Sequence, residues 1–170
     1  KDPYTAGHNK NVAAIAVEIG RALGLGQPTL DTLLISGLLH DIGKIGVPEA
    51  LLNKRDRLSE EEYEQIKTHV VKGYRILGQI PFEGPVAEIV RQHHERYDGG
   101  GYPRGVSGED ILLEARILSV ADVFEALTSD RPYRTRISGA EAFEHLLSER
   151  GGQFCPLCVD AFERVLKRRS

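Results

Sequence analysis

Apolar residues recur every three or four positions along most of this chain. No segment alternates with the period of two that a half-buried strand requires. Val12, Ile15, Ala16, Ile19 and Leu23 form one helical stripe, closed by Gly24. Leu30, Leu33, Leu34, Gly37 and Leu38 form a second, which runs directly into His40-Asp41. Pro48 to Leu52 reads as one short turn. Ser59 followed by Glu60, Glu61 and Glu62 reads as an N-cap with acids in the first turn. The helix it starts is predicted through Ile66 and on past His69 to Leu77. Pro85, Val86, Ile89 and Val90 begin another, ending at His93-His94. Helices are also predicted over 113–128, 138–149 and 156–167. The fold expected is all-α, one domain over 1–170 with about seven helices.

Charge narrows the partners. With 22 Lys+Arg against 25 Asp+Glu the formal net charge is −3, so no large basic face is available for duplex nucleic acid. An anionic small molecule can still bind through local positive charge. No apolar run approaches the ~20 residues that cross a bilayer. The chain contains no Met and is expected to be a fragment of a longer protein, whose remainder is either soluble or membrane-anchored. Two cysteines, Cys155 and Cys158, make no disulfide framework, which fits a reducing, cytoplasmic setting. Their C-x-x-C spacing has no second pair beside it; with Pro156 it reads as a helix start rather than a zinc or redox site. Lys167-Arg168-Arg169 reads as a solvated helix end.

Helical patterning stops where Gly99, Gly100, Gly101, Pro103, Gly105 and Gly108 crowd together, which marks a loop. Five of the six histidines sit at helix–loop junctions or on helices flanked by apolar residues. Asp122 interrupts the apolar run from Ile117 to Phe124, a costly position unless the carboxylate is paired or metal-bound. Singly, each feature has a plain structural reading: a histidine at a helix C-terminus complements the dipole, and Asp122 can face solvent on an amphipathic helix. Together, His8, His40-Asp41, His69, His93-His94 and Asp122 are harder to explain that way, and imidazole and carboxylate are the usual ligands of first-row divalent metals, so on spacing alone a metal site and structural roles stand level.

His40-Asp41-Ile42-Gly43-Lys44 resembles the HD signature of metal-dependent phosphohydrolases. The stretch His93 to Pro103, HHERYDGGGYP, resembles the second half of the HD-GYP pattern, and the run from Asp122 to Arg134 is similar to that family too. The resemblance extends from Tyr4-Thr5-Ala6-Gly7-His8 to Gln153-Phe154. It implies a helical HD fold, phosphodiesterase activity on cyclic di-GMP giving pGpG and GMP, and two divalent metal ions, iron or manganese. Carried over by position, one metal takes His8, His40, Asp41 and Asp122, the other takes Asp41, His69, His93 and His94, and Asp41 bridges. Two such ions and two carboxylates leave a local charge of about +2, suited to one hydroxide and one phosphodiester anion. The mechanism expected is in-line attack on phosphorus by a metal-bridged hydroxide, with Asp41 and Lys44 as the catalytic residues.

Lys44 is expected to reach a phosphate oxygen, its alternative being a solvated lysine after a helix. Arg131 and Arg134 are expected to hold the second phosphate, or else to form surface salt bridges. Tyr102 is expected to shape the pocket rim, and Tyr97 and Tyr102 either stack on guanine or pack locally. The Gly-rich loop is a candidate surface for signalling partners, and a homodimer stays open. Asn11 stands where the family commonly has Arg, and Tyr4 where some relatives carry a Glu associated with a third metal, so two metals are expected. Two other readings stand beside the hydrolase: a catalytically weak module that binds a cyclic dinucleotide and acts through protein contacts, and a hydrolase of another cyclic dinucleotide.

Overall fold

The structure is a computed structural model that describes residues 3–54, 56–130 and 135–169, with side chains described from Gly7 to Arg168 within them. Its elements are helices α1 (Pro3–Ala22), α2 (Gln27–Leu39), α3 (Glu49–Leu52), α4 (Glu60–Lys67), α5 (His69–Leu77), α6 (Val86–Gln92), α7 (Leu113–Thr128), α8 (Gly139–Ser148) and α9 (Pro156–Arg169), with short 3-10 turns at Ile42–Gly46 and Gly108–Asp110. Among the described residues there is no strand, only an isolated bridge between Arg150 and Phe154. The all-α expectation therefore holds. The helix count differs because the helix expected from Ser59 to Leu77 turns at Thr68 into α4 and α5, and because the short turn at α3 is a helix of its own.

The turn at Gly24, in the left-handed region at φ +74, folds α2 back along α1. The two helices touch closely at Gly37, where an added Cβ would lie 2.5 Å from Ala13 Cα. Helix α7 is the central element. Its Ala115, Ile117, Leu118, Val120, Ala121 and Phe124 are buried against α1, α8 and α9, in a core that also takes Ile15 and Ile19 of α1 and Phe162 of α9. Fully burying a side chain such as Ile117 stabilises the fold by roughly 1.5–3 kcal/mol. A smaller core gathers Leu77 of α5, Val86 and Val90 of α6, and Ile35 and Leu39 of α2. Helices α2 and α6 contribute to both cores, through Leu33 and Ile89 on one side and Leu39 and Val90 on the other. Their C-terminal ends, which carry His40 and His93, are thereby fixed from two directions.

Capping follows the local sequence. Ser59 accepts from the Glu62 amide while the Glu62 carboxylate accepts from the Ser59 amide, and Ser138 with Glu141 repeats the arrangement at α8. Among the described residues no helix is long and apolar enough to cross a membrane.

Candidate metal centre

Three histidines share one local geometry. Nδ1 of His40 donates to the Gly37 carbonyl at 2.7 Å, Nδ1 of His69 to Ile66 at 2.8 Å, and Nδ1 of His93 to Val90 at 2.7 Å. Each acceptor is the carbonyl three residues earlier. Because a carbonyl can only accept, each ring carries its proton on Nδ1 and its lone pair on Nε2. All three Nε2 atoms are buried and have no hydrogen-bond partner. A buried imidazole nitrogen left this way costs the protein its lost hydration, so three together are not a neutral packing choice.

The carboxylates stand among these nitrogens. One oxygen of Asp41 is 3.6 Å from His40 Nε2 and the other is 3.8 Å from His69 Nε2. Asp122 places an oxygen 3.1 Å from His8 Nε2 and 3.7 Å from His40 Nε2. Two sets of donor atoms converge closely enough for an ion: His8, His40 and Asp41, and His69, His93 and His94. The rings of the two sets adjoin, with His40 and His93 centroids 5.3 Å apart. Imidazole and carboxylate are the donors that zinc, iron and manganese accept, so the residues present fit a metal on chemistry as well as on their unsatisfied atoms.

Burial and charge divide the titrations. Desolvation holds His69 and His93 below the usual histidine value, and brings His94 to about 4. His8 goes the other way: desolvation opposes it, but hydrogen bonds to Asp122 and Glu125 raise it to about 9. Asp41 and Asp122 are both held down against their own desolvation, Asp41 by His40 and Lys44, Asp122 by His8 and His40.

Lys44 follows Asp41 by three residues, on the 3-10 turn, and its ammonium is 2.7 Å from the Asp41 carboxylate. This turn lies hard against α5: an added Cβ on Gly43 would sit 1.8 Å from the His69 carbonyl oxygen. Gly101 has the same role in the Gly-rich loop, where a Cβ would meet the Arg96 amide nitrogen at 2.3 Å. That close approach lets the Tyr102 amide donate to the His94 carbonyl at 3.2 Å and the Tyr102 ring stack on the His94 ring, centroids 5.0 Å apart. The Lys67 ammonium of α4 lies over the Tyr102 ring, 5.2 Å from its centroid. Tyr97, by contrast, packs against the main core. Arg131 and Arg134 lie outside the described residues, and so does the side chain of Tyr4.

Sequence reasoning missed Glu125. It is buried, one turn beyond Asp122, and it accepts from His8 Nδ1, from Asn11 at 3.1 Å and from Ser129 at 2.8 Å. The signal was there: Asp122 and Glu125 stand three apart and therefore share one face of α7.

The HD domain family pattern matches residues 1–156. The chain belongs to the HD-domain family. Within that family its His40-Asp41 and Gly101-Tyr102-Pro103 runs are those of the HD-GYP members. This HD domain is 41% identical to the cyclic di-GMP phosphodiesterase response regulator RpfG of Xanthomonas campestris pv. campestris, over 96% of the chain and 44% of that protein. It is 38% identical to the 3'3'-cGAMP-specific phosphodiesterase 3 of Vibrio cholerae, over 98% of the chain and 36% of that protein. The HD domain thus spans less than half the length of these curated relatives. Among solved structures it superposes on Bd1817, an HDG"Y"P protein from Bdellovibrio bacteriovorus, with a TM-score of 0.77 and 24% identity, over 96% of this chain and 52% of that one. That likeness speaks to the fold.

Proposed function

We propose that this HD domain is the catalytic unit of a metal-dependent phosphodiesterase whose substrate is cyclic di-GMP, opened to pGpG and cleaved on to GMP. The observation that carries the reading is the set of three buried, unpartnered Nε2 atoms of His40, His69 and His93, of which His40 and His69 face the carboxylates of Asp41 and Asp122. The names of relatives at about 40% identity support the same reaction class.

Two metal ions fit. His8, His40 and Asp122 would hold one, His69, His93 and His94 the other, with Asp41 offering one oxygen to each. Iron or manganese suits this nitrogen-and-oxygen donor set. Such a pair supplies Lewis acidity, making water nucleophilic near neutral pH and taking up charge on the phosphoryl oxygens. The chain's own residues do the rest. Asp41 and Asp122, held ionised, balance the cationic charge, and burial keeps His69, His93 and His94 neutral and able to donate a lone pair. Lys44, with its side chain about one-third exposed and its ammonium at the Asp41 carboxylate, is placed to meet a phosphate oxygen at the edge of the site. Tyr102, stacked on His94, forms the rim toward the Gly-rich loop. Arg131 and Arg134, which follow the Asp122 helix in sequence, are assigned to the second phosphate because a guanidinium suits bidentate contact with it.

A second substrate reading, 3'3'-cGAMP, is favoured by the relatives of Vibrio cholerae named for that nucleotide. The experiment that tests both is an anaerobic incubation of iron- or manganese-loaded protein with cyclic di-GMP, and in parallel with 3'3'-cGAMP, followed by chromatography of the products. Linear dinucleotide and mononucleotide from cyclic di-GMP at the higher rate are expected. Faster cleavage of 3'3'-cGAMP reassigns the substrate. Tight binding of either nucleotide without product would instead make the domain a binding module.

A further inference from the structure

Cys155 and Cys158, the two cysteines of the sequence, stand outside both ligand clusters, one turn apart at the start of α9. Both are free thiols. The Cys155 carbonyl accepts from the Val159 and Cys158 amides, each at 3.1 Å, so Cys155 caps the helix and its side chain sits at the positive end of 14 aligned peptide dipoles. Across the helix junction, Arg116 of α7 brings a guanidinium nitrogen 3.5 Å from Cys155 Sγ, while its buried Nε has no partner. Helix end, guanidinium and neighbouring thiol all favour a thiolate at Cys155. The Cys158 thiol, with Arg116 behind it, lowers Cys155 to about 5, and the same contact pushes Cys158 up. Cys155 keeps 3% exposure and Cys158 none, so a small oxidant meets Cys155 first.

Against the sequence reading of this pair as a helix start alone, and on the Arg116 contact and the cap geometry, we propose that Cys155 and Cys158 are a reversible dithiol site, in which Cys155 attacks a hydroperoxide and Cys158 resolves the product as an intramolecular disulfide. In the first step the Cys155 thiolate attacks hydrogen peroxide. An S–O bond forms, the O–O bond breaks, hydroxide leaves and Cys155 becomes a sulfenic acid. In the second, Cys158 attacks that sulfur. The S–S bond forms, the S–O bond breaks, and the hydroxyl departs with the Cys158 proton as water. Two electrons pass from the sulfur pair to the peroxide. The disulfide also takes the thiolate away from Arg116, which lies on the same helix as Asp122 and Glu125.

The test uses the reduced chain, treated with hydrogen peroxide at neutral pH and followed by intact mass and by thiol counting in denaturant. The expected product is lighter by two hydrogens, has no titratable thiol, carries the bond within one chain, and reverts fully with dithiothreitol. Cys158→Ser is expected to gain one oxygen, trapped on Cys155 by a sulfenic-acid reagent, and Cys155→Ser to stay unmodified at the same dose. Retention of both thiols at a dose that oxidises free cysteine overturns the proposal. So does a bond between chains, or a sulfenic label on Cys158. The wild-type readout needs no substitution, so the result does not depend on how the variants fold.

Discussion

Asn11 donates its side-chain amide to Glu125 at 3.1 Å, and the same buried carboxylate receives the imidazole of His8. Residues on α1 and α7, far apart in sequence, thus set which His8 nitrogen faces Asp122. Glu125→Ala frees that ring to turn. The expected result is a loss of metal affinity of about 10–100-fold, the usual effect of removing a carboxylate that orients a ligating histidine. Asn11→Ala removes one hydrogen bond and should cost about 1 kcal/mol of stability with a smaller change in affinity. Competition titration with a chelator measures the affinities, and denaturant unfolding measures the stability.

Asp41 faces both histidine sets with different oxygens. Asp41→Ala should therefore lower metal content as purified, not merely weaken one position, and should leave Lys44 without its carboxylate. Elemental analysis decides it. Two ions at full occupancy in Asp41→Ala would falsify the bridging role.

The metal-stripped chain should lose stability on both sides of about pH 6.5. His94 titrates at about 4 when folded against 6.5 when unfolded, and burial shifts His69 and His93 the same way. Below 6.5 the unfolded chain binds protons that these folded rings refuse, so stability falls as pH drops from 6.5 toward 4. His8 runs oppositely, folded at about 9. Its contribution is complete below 6.5 and is lost as pH rises from 6.5 through 9. Melting temperatures across pH should show this maximum. Metal loading at neutral pH should also release a proton from His8, seen as a buffer-dependent heat in calorimetry.

Gly43→Ala forces a methyl into the His69 carbonyl, where backbone cannot yield as a side chain would. A stability loss of at least about 2 kcal/mol is expected, at the upper part of what overpacking costs. Metal affinity should fall with it, because the displaced pair carries Asp41 and His69. A thermal melt and a metal titration on one preparation test this.

The helices were legible because the stripes on α1, α2 and α7 repeat with the helical period. The turn at Thr68 was not, because its backbone stays near helical values, φ −62 and ψ −17, and the apolar pattern passes through it. The residues of the site were legible as a set, since histidines and aspartates in apolar surroundings need a reason. Their pairing across helices depends on how α1, α2, α6 and α7 dock, which one-dimensional spacing does not encode. Glu125 carried only the weak signal of its three-residue spacing from Asp122, and a glutamate near a helix end passes for a surface residue until His8 and Asn11 arrive from α1.

His40, His69 and His93 each take their ring orientation from a carbonyl three residues back in their own segment. Aim is thus a local matter, set within α2 for His40, within α6 for His93 and at the α4–α5 turn for His69, and the docking of the helices sets the separation. A perturbation that slides α2 or α6 as a unit would move its donor atom without turning it, because Gly37 and Val90 travel with His40 and His93. The centre would then answer to helix displacement as a gauge answers to length, losing reach before it loses direction.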